Sequence, residues 1–262
     1  MNSGNQKSGQ KTITRWDFFK VFLSSFFLQS VWNFRSLISV GFSICLLPIL
    51  NKLYDQSESK GEFLRRHLKF FNAHPYFASY ALGVSIKLEE MAAKGDSQIP
   101  ELLDRLKNVL ISPLGAVGDR LFWATVKPAC LIFGATGILL FSSIEAKIVV
   151  LITTFLMYNI PHFYFRYHGI IEGYKHGVEI YKYISHQRFE KLRKIYLSLL
   201  LIFLTILVVA YSFKLFTIQP GQVAIFWLSA IYTLIFYRLV KNFYLVALST
   251  TLFFIVVGIL FF

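Results

Sequence analysis

The chain has 262 residues and a formal net charge of +13, and it is 55% hydrophobic, 18% aromatic and only 16% charged. This composition leaves too little polar surface for an ordinary soluble domain of this length and favours a protein embedded in a bilayer. The Lys and Arg residues lie between apolar runs and not along one exposed face, so anionic lipid headgroups and cytoplasmic loops explain the positive charge better than nucleic acid does.

The N-terminal region is polar at first and apolar afterwards. Residues 1–15 predict a flexible polar N-terminus, and the apolar run behind it lacks a small-residue cleavage site, so no removable signal peptide is expected. The run from Val21 to Leu50 carries Arg35 near its centre. Because a charge is costly in the middle of a bilayer, this run predicts an amphipathic interfacial helix or a segment packed inside protein.

The next segment, Asn51 to Lys107, is charged and has helical spacing. Glu62 precedes Arg66, and Glu90 precedes Lys94, each by one helical turn. These pairs predict helices in or beside the cytoplasm.

The stretch ISPLGAVGDRLFW, Ile111 to Trp123, breaks this pattern with Pro113, Gly115 and Gly118. It is too short and too rich in helix breakers to span a bilayer. Non-helical backbone at membrane depth persists only where it is buried in protein or lines a cavity. The stretch therefore predicts either a re-entrant hairpin or a surface turn between helices, and composition leaves both open.

Two apolar runs in the middle of the chain predict short or broken spans. Pro128 to Ile144 and Ile148 to Phe165 contain 17 and 18 uncharged residues. A crossing needs about twenty mostly apolar residues. The second run is also interrupted by Asn159, Pro161 and His162.

The C-terminal third predicts three clear transmembrane helices. Ile195 to Phe213, Leu215 to Tyr237 and Asn242 to Phe262 are uncharged runs of 19, 23 and 21 residues. The Pro-Gly pair in IQPG, Ile218 to Gly221, marks the turn between the first two.

Basic residues predict the orientation of these helices. Between Arg166 and Lys194 there are seven Lys or Arg and three Glu, whereas the turn from Phe213 to Gln222 holds only Lys214. By the positive-inside rule, the basic loop is expected in the cytoplasm and the IQPG turn outside.

Several polar residues could carry chemistry. Asp119 could accept hydrogen bonds from a polyol, or it could cap a helix N-terminus, which is the commoner role. His74 could take a phosphoryl group or shuttle a proton, but Pro75 disfavours helix at this position and favours a histidine that shapes a turn. Glu89 and Glu90 do not share a helix face, so they predict a solvated helix end instead of an acid/base pair, with Gly95 as the C-terminal stop of that helix.

No cofactor or metal site is predicted. Cys45 and Cys130 lie alone in apolar segments, and the histidines show no ligand spacing typical of zinc. Nucleotide-binding and hydrolase motifs are absent from the sequence. A membrane hydrolase or kinase that uses His74 with Glu89 and Glu90 is therefore disfavoured.

Four stretches of the sequence together resemble one family. They are NFRSLISVGFSICLLPILNKLY (Asn33 to Tyr54), RRHLKFFNAHPYFASYALGVSIKLEEMAAKGD (Arg65 to Asp96), SPLGAVGDRLFWATVKP (Ser112 to Pro128) and FRYHGIIEGYKHG (Phe165 to Gly177). In this order and spacing they are similar to the signatures of the IID membrane subunit of the mannose/fructose/sorbose-type sugar phosphotransferase system. The resemblance runs from about Trp16 to the C-terminus, and FFN-x-HPY followed by L-G-V and E-E is its most specific part.

The resemblance implies a division of labour among subunits. IID and IIC would form the sugar-conducting unit in the bacterial cytoplasmic membrane, while soluble IIA and IIB would carry the phosphoryl groups on their own histidines. The chain would then be a non-catalytic subunit without a cofactor of its own. The candidates for substrate binding or for the hairpin are Asp119, Asn72, His74, Glu89, Glu90 and Trp123.

The chain also departs from the family pattern. Arg120 stands where the family has a small residue or proline after the GD pair, and the connection from Phe213 to Gln222 is shorter than in many relatives. Two functions therefore stay open. The first is a IID permease subunit that takes up a hexose or related sugar; the alternative is a retained subunit with a regulatory or assembly role that no longer conducts sugar.

The expected fold is an all-α integral membrane protein with interfacial amphipathic helices, one or more re-entrant hairpins and about five hydrophobic segments. After residues 1–15, a single IID-type domain is expected over 16–262. Its predicted parts are 16–107 with interfacial or cytoplasmic helices, 108–194 with the hairpin, short spans and basic loop, and 195–262 with the transmembrane helices.

Overall fold

The computed structural model describes residues 12–184 and 186–261, and within these ranges the protein is built from helices. The α-helices are α1 (Arg15–Ser24), α2 (Ser39–Leu53), α3 (Ser57–His67), α4 (Ala78–Ala93), α5 (Ile99–Gly118), α6 (Lys127–Leu140), α7 (Ile144–His176), α8 (Ile180–Tyr183), α9 (His186–Phe216), α10 (Pro220–Val240) and α11 (Phe243–Phe261). A π-helix, called the π segment below, covers Asp119–Val126, and short 3₁₀ turns cover Ser25–Phe27 and Gly177–Glu179. The all-α prediction is confirmed.

Four helical stretches are long and apolar enough to cross a membrane. They are Ile99–Leu140, Ile144–Tyr183, Phe189–Phe216 and Pro220–Val240, and Phe243–Ile259 is a shorter apolar helix. All three predicted C-terminal helices are therefore present as helices, although the last predicted residue, Phe262, lies outside the described residues, as do residues 1–11 of the predicted flexible N-terminus.

The run from Val21 to Leu50 forms two helices joined by a turn, not one interfacial helix. Arg35 is exposed in that turn, beside Leu37, whose φ is 54°. The α2 helix packs inside protein, and Gly41 lets it approach the first helical segment closely: a Cβ at Gly41 would lie 2.0 Å from the carbonyl oxygen of Leu28.

The predicted hairpin or surface turn at Ile111 to Trp123 is wrong, because the backbone is helical from Ile99 to Leu140. Neither Gly115 nor Gly118 breaks the helix, and Gly118 serves close packing. A Cβ at Gly118 would lie 2.3 Å from Cβ of His74. After Gly118 the helix widens into the π segment, where the Thr125 hydroxyl donates to the carbonyl of Arg120 at 2.9 Å.

The predicted interruption at Pro161 is also wrong, since α7 is continuous from Ile144 to His176. Proline has no N–H, so it leaves the carbonyl four residues earlier without its helical donor. That carbonyl belongs to Met157, and the Tyr196 hydroxyl of α9 donates to it at 2.6 Å. A donor from another helix thus replaces the missing N–H.

Most of the predicted basic loop is helical. Arg166 lies inside α7, and α8 and the start of α9 occupy the rest up to Lys194, with the described residues interrupted only at position 185.

Helices α4 and α7 approach each other through small residues. A Cβ at Gly83 would lie 2.1 Å from the carbonyl oxygen of Ile170, and a Cβ at Gly173 would lie 2.1 Å from the carbonyl oxygen of Tyr80. Glycine at both positions permits backbone contact, which is typical of helix pairs in membranes. This contact fixes α4 and the turn that precedes it.

The chain divides into two compact units. The first runs to Leu131 and resumes over Ile152–Leu199, and the second comprises Ile132–Leu151 and Leu200–Phe262. The first unit has an aromatic core. Its fully buried rings include Phe42, Phe63, Phe71, Phe77, Tyr80 and Phe122.

Candidate functional site

A polar cavity of about 420 Å³ lies in the first unit. Its walls come from the segment after α1, the turn before α4, and the helical stretch formed by α5 and the π segment. The polar and aromatic lining residues are Gln29, Asn72, His74, Ser112, Asp119 and Trp123. Four of the sequence-predicted candidates, Asn72, His74, Asp119 and Trp123, therefore meet at one place.

The wall formed by α5 and the π segment is a helical stripe. Ser112, Ala116, Asp119 and Trp123 line the cavity and follow one another at intervals of three or four residues. This spacing places side chains on one face of a helix. The sequence predicted a hairpin or turn here, so Ser112 was not recognised as a candidate. On a helix, Ser112 lies two turns before Asp119 on the same face.

Asp119 does not cap a helix. Its backbone is helical, with φ −63° and ψ −45°, so both the cap and the hairpin assigned to it are wrong. Its carboxylate is exposed and, among the described residues, accepts no hydrogen bond from a protein group. A carboxylate that faces a cavity in this state can accept hydrogen bonds from a ligand.

His74 shapes the turn before α4, as the neighbouring Pro75 predicts. Its Nδ1 accepts a hydrogen bond from the backbone N–H of Tyr76 at 3.3 Å, which places the ring proton of the neutral form on Nε2. Its ring stacks on Phe122, with centroids 5.4 Å apart. Only 2% of the residue is exposed, and Nε2 has no partner among the described residues.

The charge state of His74 follows from its surroundings. Burial is the largest cause that lowers the pKa of His74 to about 3, and the positive charge of Arg166 acts in the same direction. At neutral pH the ring is therefore uncharged. Its Nε2–H is buried in the wall of the cavity.

Glu89 does not belong to a solvated helix end, because it is 1% exposed and sits in a charge cluster. Arg66 donates to its two oxygens at 3.0 and 2.8 Å, His67 Nε2 lies 3.0 Å away, and the Tyr54 hydroxyl donates at 2.7 Å. Burial raises the pKa of Glu89, but the hydrogen bonds from His67 and Arg66 outweigh it and lower the pKa to about 2. The cluster holds α3 against α4.

Glu90 has different partners from Glu89. It accepts hydrogen bonds from the Tyr174 hydroxyl at 2.6 Å and from Lys94 at 3.3 Å, which confirms the predicted i,i+4 pair. Neither glutamate lines the cavity of His74. The two carboxylates are thus parts of the scaffold, and the predicted helix stop follows them at Gly95, whose φ is 98°.

Arg120 points away from this cavity. It lines a separate small pocket with Glu190 and Arg193 of α9, which form an ion pair with each other. The next residue after Asp119 therefore contributes its charge to another face of the π segment.

The larger cavities are mostly apolar. One of about 710 Å³ in the second unit is lined mainly by Leu207, Val208, Leu215 and residues of α10 and α11. In the part of the chain that the structure describes, no group of three or more His, Cys, Asp or Glu residues could hold a metal ion. The polar cavity remains the best candidate for binding a hydrophilic ligand.

Comparison with known proteins gives a consistent result. Residues 12–262 match the family model for the mannose/fructose/sorbose family IID component of the phosphotransferase system. The mannose-specific EIID component of Escherichia coli K12 is 35% identical over 178 residues, which are 68% of this chain and 61% of that protein. The fructose permease IID component of Bacillus subtilis 168 is 30% identical over 183 residues, 70% of this chain and 65% of that protein. The chain thus matches less than two thirds of the length of these relatives.

Solved structures also resemble the chain. A chain in the cryo-electron microscopy structure of the mannose transporter ManYZ in complex with microcin E492 has a TM-score of 0.58 and 34% identity, covering 76% of this chain and 71% of that one. A second membrane-protein structure has a TM-score of 0.65 and 33% identity, with the same coverage.

Proposed function

The chain belongs to the mannose/fructose/sorbose family of phosphotransferase-system IID components, and from this membership we propose that it is a sugar permease subunit. It is an integral protein of the bacterial cytoplasmic membrane. In this proposal it forms, with a IIC subunit, the membrane unit that takes up a hexose or related sugar. Cytoplasmic IIA and IIB subunits carry the phosphoryl group, and IIB phosphorylates the sugar on release.

The polar cavity is the observation that supports a sugar-binding role. A sugar presents hydroxyl groups at its rim and C–H groups on its ring faces, so its site needs hydrogen-bonding groups beside an aromatic surface. The cavity offers the Asp119 carboxylate, the Asn72 and Gln29 amides, the Ser112 hydroxyl and the Trp123 ring.

Each group has a distinct part in this proposal. Asp119 accepts hydrogen bonds from sugar hydroxyls, and Asn72 can both donate and accept them. Trp123 offers a ring face to the C–H side of the sugar. None of these residues forms a covalent bond, since phosphoryl transfer takes place on the partner subunits.

Exposed apolar helix surfaces support a location among lipids and partner helices. Leu201, Ile202, Leu234 and Leu248 are each more than half exposed. Faces of this kind are stable against acyl chains or against the helices of a IIC subunit. We further propose that 16–262 form one IID-type domain, with its basic segment in the cytoplasm.

Asp119→Asn tests the sugar site. The strain lacks the wild-type gene and carries the partner subunits, and phosphoenolpyruvate-dependent uptake of labelled mannose, fructose and sorbose is measured. Losing a charged acceptor for a hydroxyl costs about 1.5–3 kcal/mol, so the apparent affinity for the transported sugar should fall roughly tenfold or more.

Asp104→Asn is the matched control. Asp104 lies on α5 outside the cavity and pairs with Lys69 on the surface, so its substitution should leave uptake close to the wild-type rate. Uptake that does not depend on this chain, or equal uptake by the Asp119 and Asp104 variants, would count against the sugar site.

Arg120→Ser separates transport from the alternative regulatory or assembly role. Because Arg120 faces Glu190 and lies outside the cavity, its substitution should not change uptake. If the wild-type chain supports no uptake and Arg120→Ser restores it, the alternative role is the better description.

A further inference from the structure

Arg166 is a buried cation in the middle of the first unit, and the proposed sugar site does not use it directly. It lies on α7 and is 4% exposed. Among the described residues it forms no ion pair with a carboxylate. Its NH1 group donates to the carbonyl oxygen and to the hydroxyl of Ser25, the latter at 3.2 Å. A charge in this position is costly, and it is typically retained for a function.

The contacts of Arg166 define the tautomer of a second residue. Its Nε–H donates to Nε2 of His162 at 3.1 Å. Because a guanidinium only donates hydrogen bonds, Nε2 of His162 accepts and the ring proton sits on Nδ1, 3.4 Å from Oδ1 of Asn159. Arg166 therefore fixes both the orientation and the tautomer of His162.

The His162 ring in turn supports Tyr76. The two rings stack with centroids 3.9 Å apart and an angle of 26°. The guanidinium carbon of Arg166 lies 5.1 Å from the centre of the Tyr76 ring, within reach of a cation–π interaction. The Tyr76 hydroxyl is tied to that of Tyr158 at 2.6 Å. Tyr76 is thus held from its face and from its tip.

Tyr76 connects this stack to the cavity, because its backbone N–H donates to Nδ1 of His74. On its other side His74 is confined by Gly118 and Phe122. Its Nε2 is the buried nitrogen without a protein partner, and His74 lines the cavity. A continuous set of contacts therefore runs from Arg166 to this donor.

We propose that Arg166 is a positioning residue of the cavity, which acts through His162 and Tyr76 to hold the His74 ring in the cavity wall with its proton on Nε2. The proposal deepens the sugar-binding function and rests on it for the identity of the ligand. Arg166 itself touches no ligand. The proposed orientation and tautomer of His74 do not depend on whether a sugar is bound.

The first test reads the His74 tautomer directly. The purified chain is labelled with ¹⁵N-histidine in nanodiscs at pH 7, and the His74 signals are assigned by their loss in His74→Gln. The wild type should show a neutral ring with the proton on Nε2, whereas Arg166→Gln should show a mixture of the two neutral tautomers. Arg166→Lys should retain more of the wild-type signal, because it keeps a cation beside Tyr76.

Tyr158→Phe is the control for this test. It removes the bond to the tip of Tyr76 but keeps the stack on His162, so the His74 signal should not change. If Arg166→Gln fails to fold, His162→Gln replaces it, since it removes the ring between Arg166 and Tyr76. A wild-type His74 signal in the folded Arg166 or His162 variant would overturn the proposal.

The second test measures mannose, fructose and sorbose binding to the reconstituted complex by calorimetry. His74→Gln and Arg166→Gln should each weaken binding roughly tenfold, and the double variant should bind no more weakly than either single variant, because both changes disturb the same part of the cavity wall. Additive losses would show that Arg166 does not act through His74. If the wild-type complex binds none of the three sugars, the sugar-binding function fails, while the tautomer measurement still decides the role of Arg166.

Discussion

The hydroxyl of Tyr196 should stabilise α7 only because Pro161 is present. Pro161 leaves the carbonyl of Met157 without a helical donor, and Tyr196, itself 8% exposed, donates to that oxygen at 2.6 Å. Tyr196→Phe removes the donor without changing the ring. The variant therefore isolates the hydrogen bond from the packing of α7 against α9.

The expected magnitude is moderate. A buried hydrogen bond contributes about 0.5–1.5 kcal/mol to stability, and interhelical hydrogen bonds in membranes average about 0.6 kcal/mol. Because an unsatisfied carbonyl is left behind, we expect Tyr196→Phe to lower the free energy of unfolding by about 1 kcal/mol. In a Pro161→Ala background the N–H of residue 161 supplies the helical donor, so the same change should cost less than about half as much.

The assay is reversible unfolding by SDS in mixed micelles, followed by circular dichroism, for the wild type, both single variants and the double variant. Tyr211→Phe is the control. Tyr211 lies on the same helix, is 54% exposed, and its hydroxyl makes no hydrogen bond within the described chain. Equal costs of Tyr196→Phe with proline and with alanine at 161 would refute the reasoning, because the hydrogen bond would then not serve the orphaned carbonyl.

Three further outcomes are expected. Gly173→Ala should lower the free energy of unfolding by about 1–3 kcal/mol in the same assay, because its Cβ would lie 2.1 Å from a backbone oxygen. Gly115→Ala is the control and should not lower it, because a Cβ there would meet nothing within 4 Å. Equal effects of the two changes would argue against close packing at Gly173. Burial lowers the pKa of His67 from 6.5 to about 4. The contribution of His67 to stability is therefore complete above pH 6.5 and falls as the pH drops towards 4. In pH-dependent melts His67→Gln should flatten this slope, and an unchanged slope would assign it to other groups. By the positive-inside rule, a membrane-impermeant maleimide should label Thr217→Cys in intact cells but Tyr181→Cys only after permeabilisation. The native Cys45 and Cys130 are buried and should not react. The reverse pattern would invert the orientation.

The membrane class and the C-terminal helices could be predicted because they depend on local composition. A run of about twenty uncharged residues is sufficient to specify a spanning helix. Helix α9 covers the first predicted run, and α10 and α11 cover most of the second and third. The pair of Glu90 with Lys94 and the stop at Gly95 are likewise local, since their partners lie within one helical turn.

The predictions for Pro161 and Glu89 were wrong because the hydrogen-bond partners that decide their roles are distant in sequence. Pro161 reads as a break until Tyr196, 39 residues away from Met157, supplies the missing donor. Glu89 reads as solvated until Arg66 and Tyr54 surround it from other elements. Such partners have no local signature, and only the packing of the helices brings them together.

The glycines show why the candidate site was partly found and its architecture was not. Gly118 beside Asp119 reads as a turn, because glycine is common where a chain must bend. In the structure it has helical dihedral angles, and its missing side chain makes room for the ring of His74. The same residue therefore keeps the helix intact and brings Asp119 to the same cavity as His74. A substituent at this position would press on the ring of His74 and separate the two walls of the cavity, so Gly118 belongs to the site as much as the polar residues do.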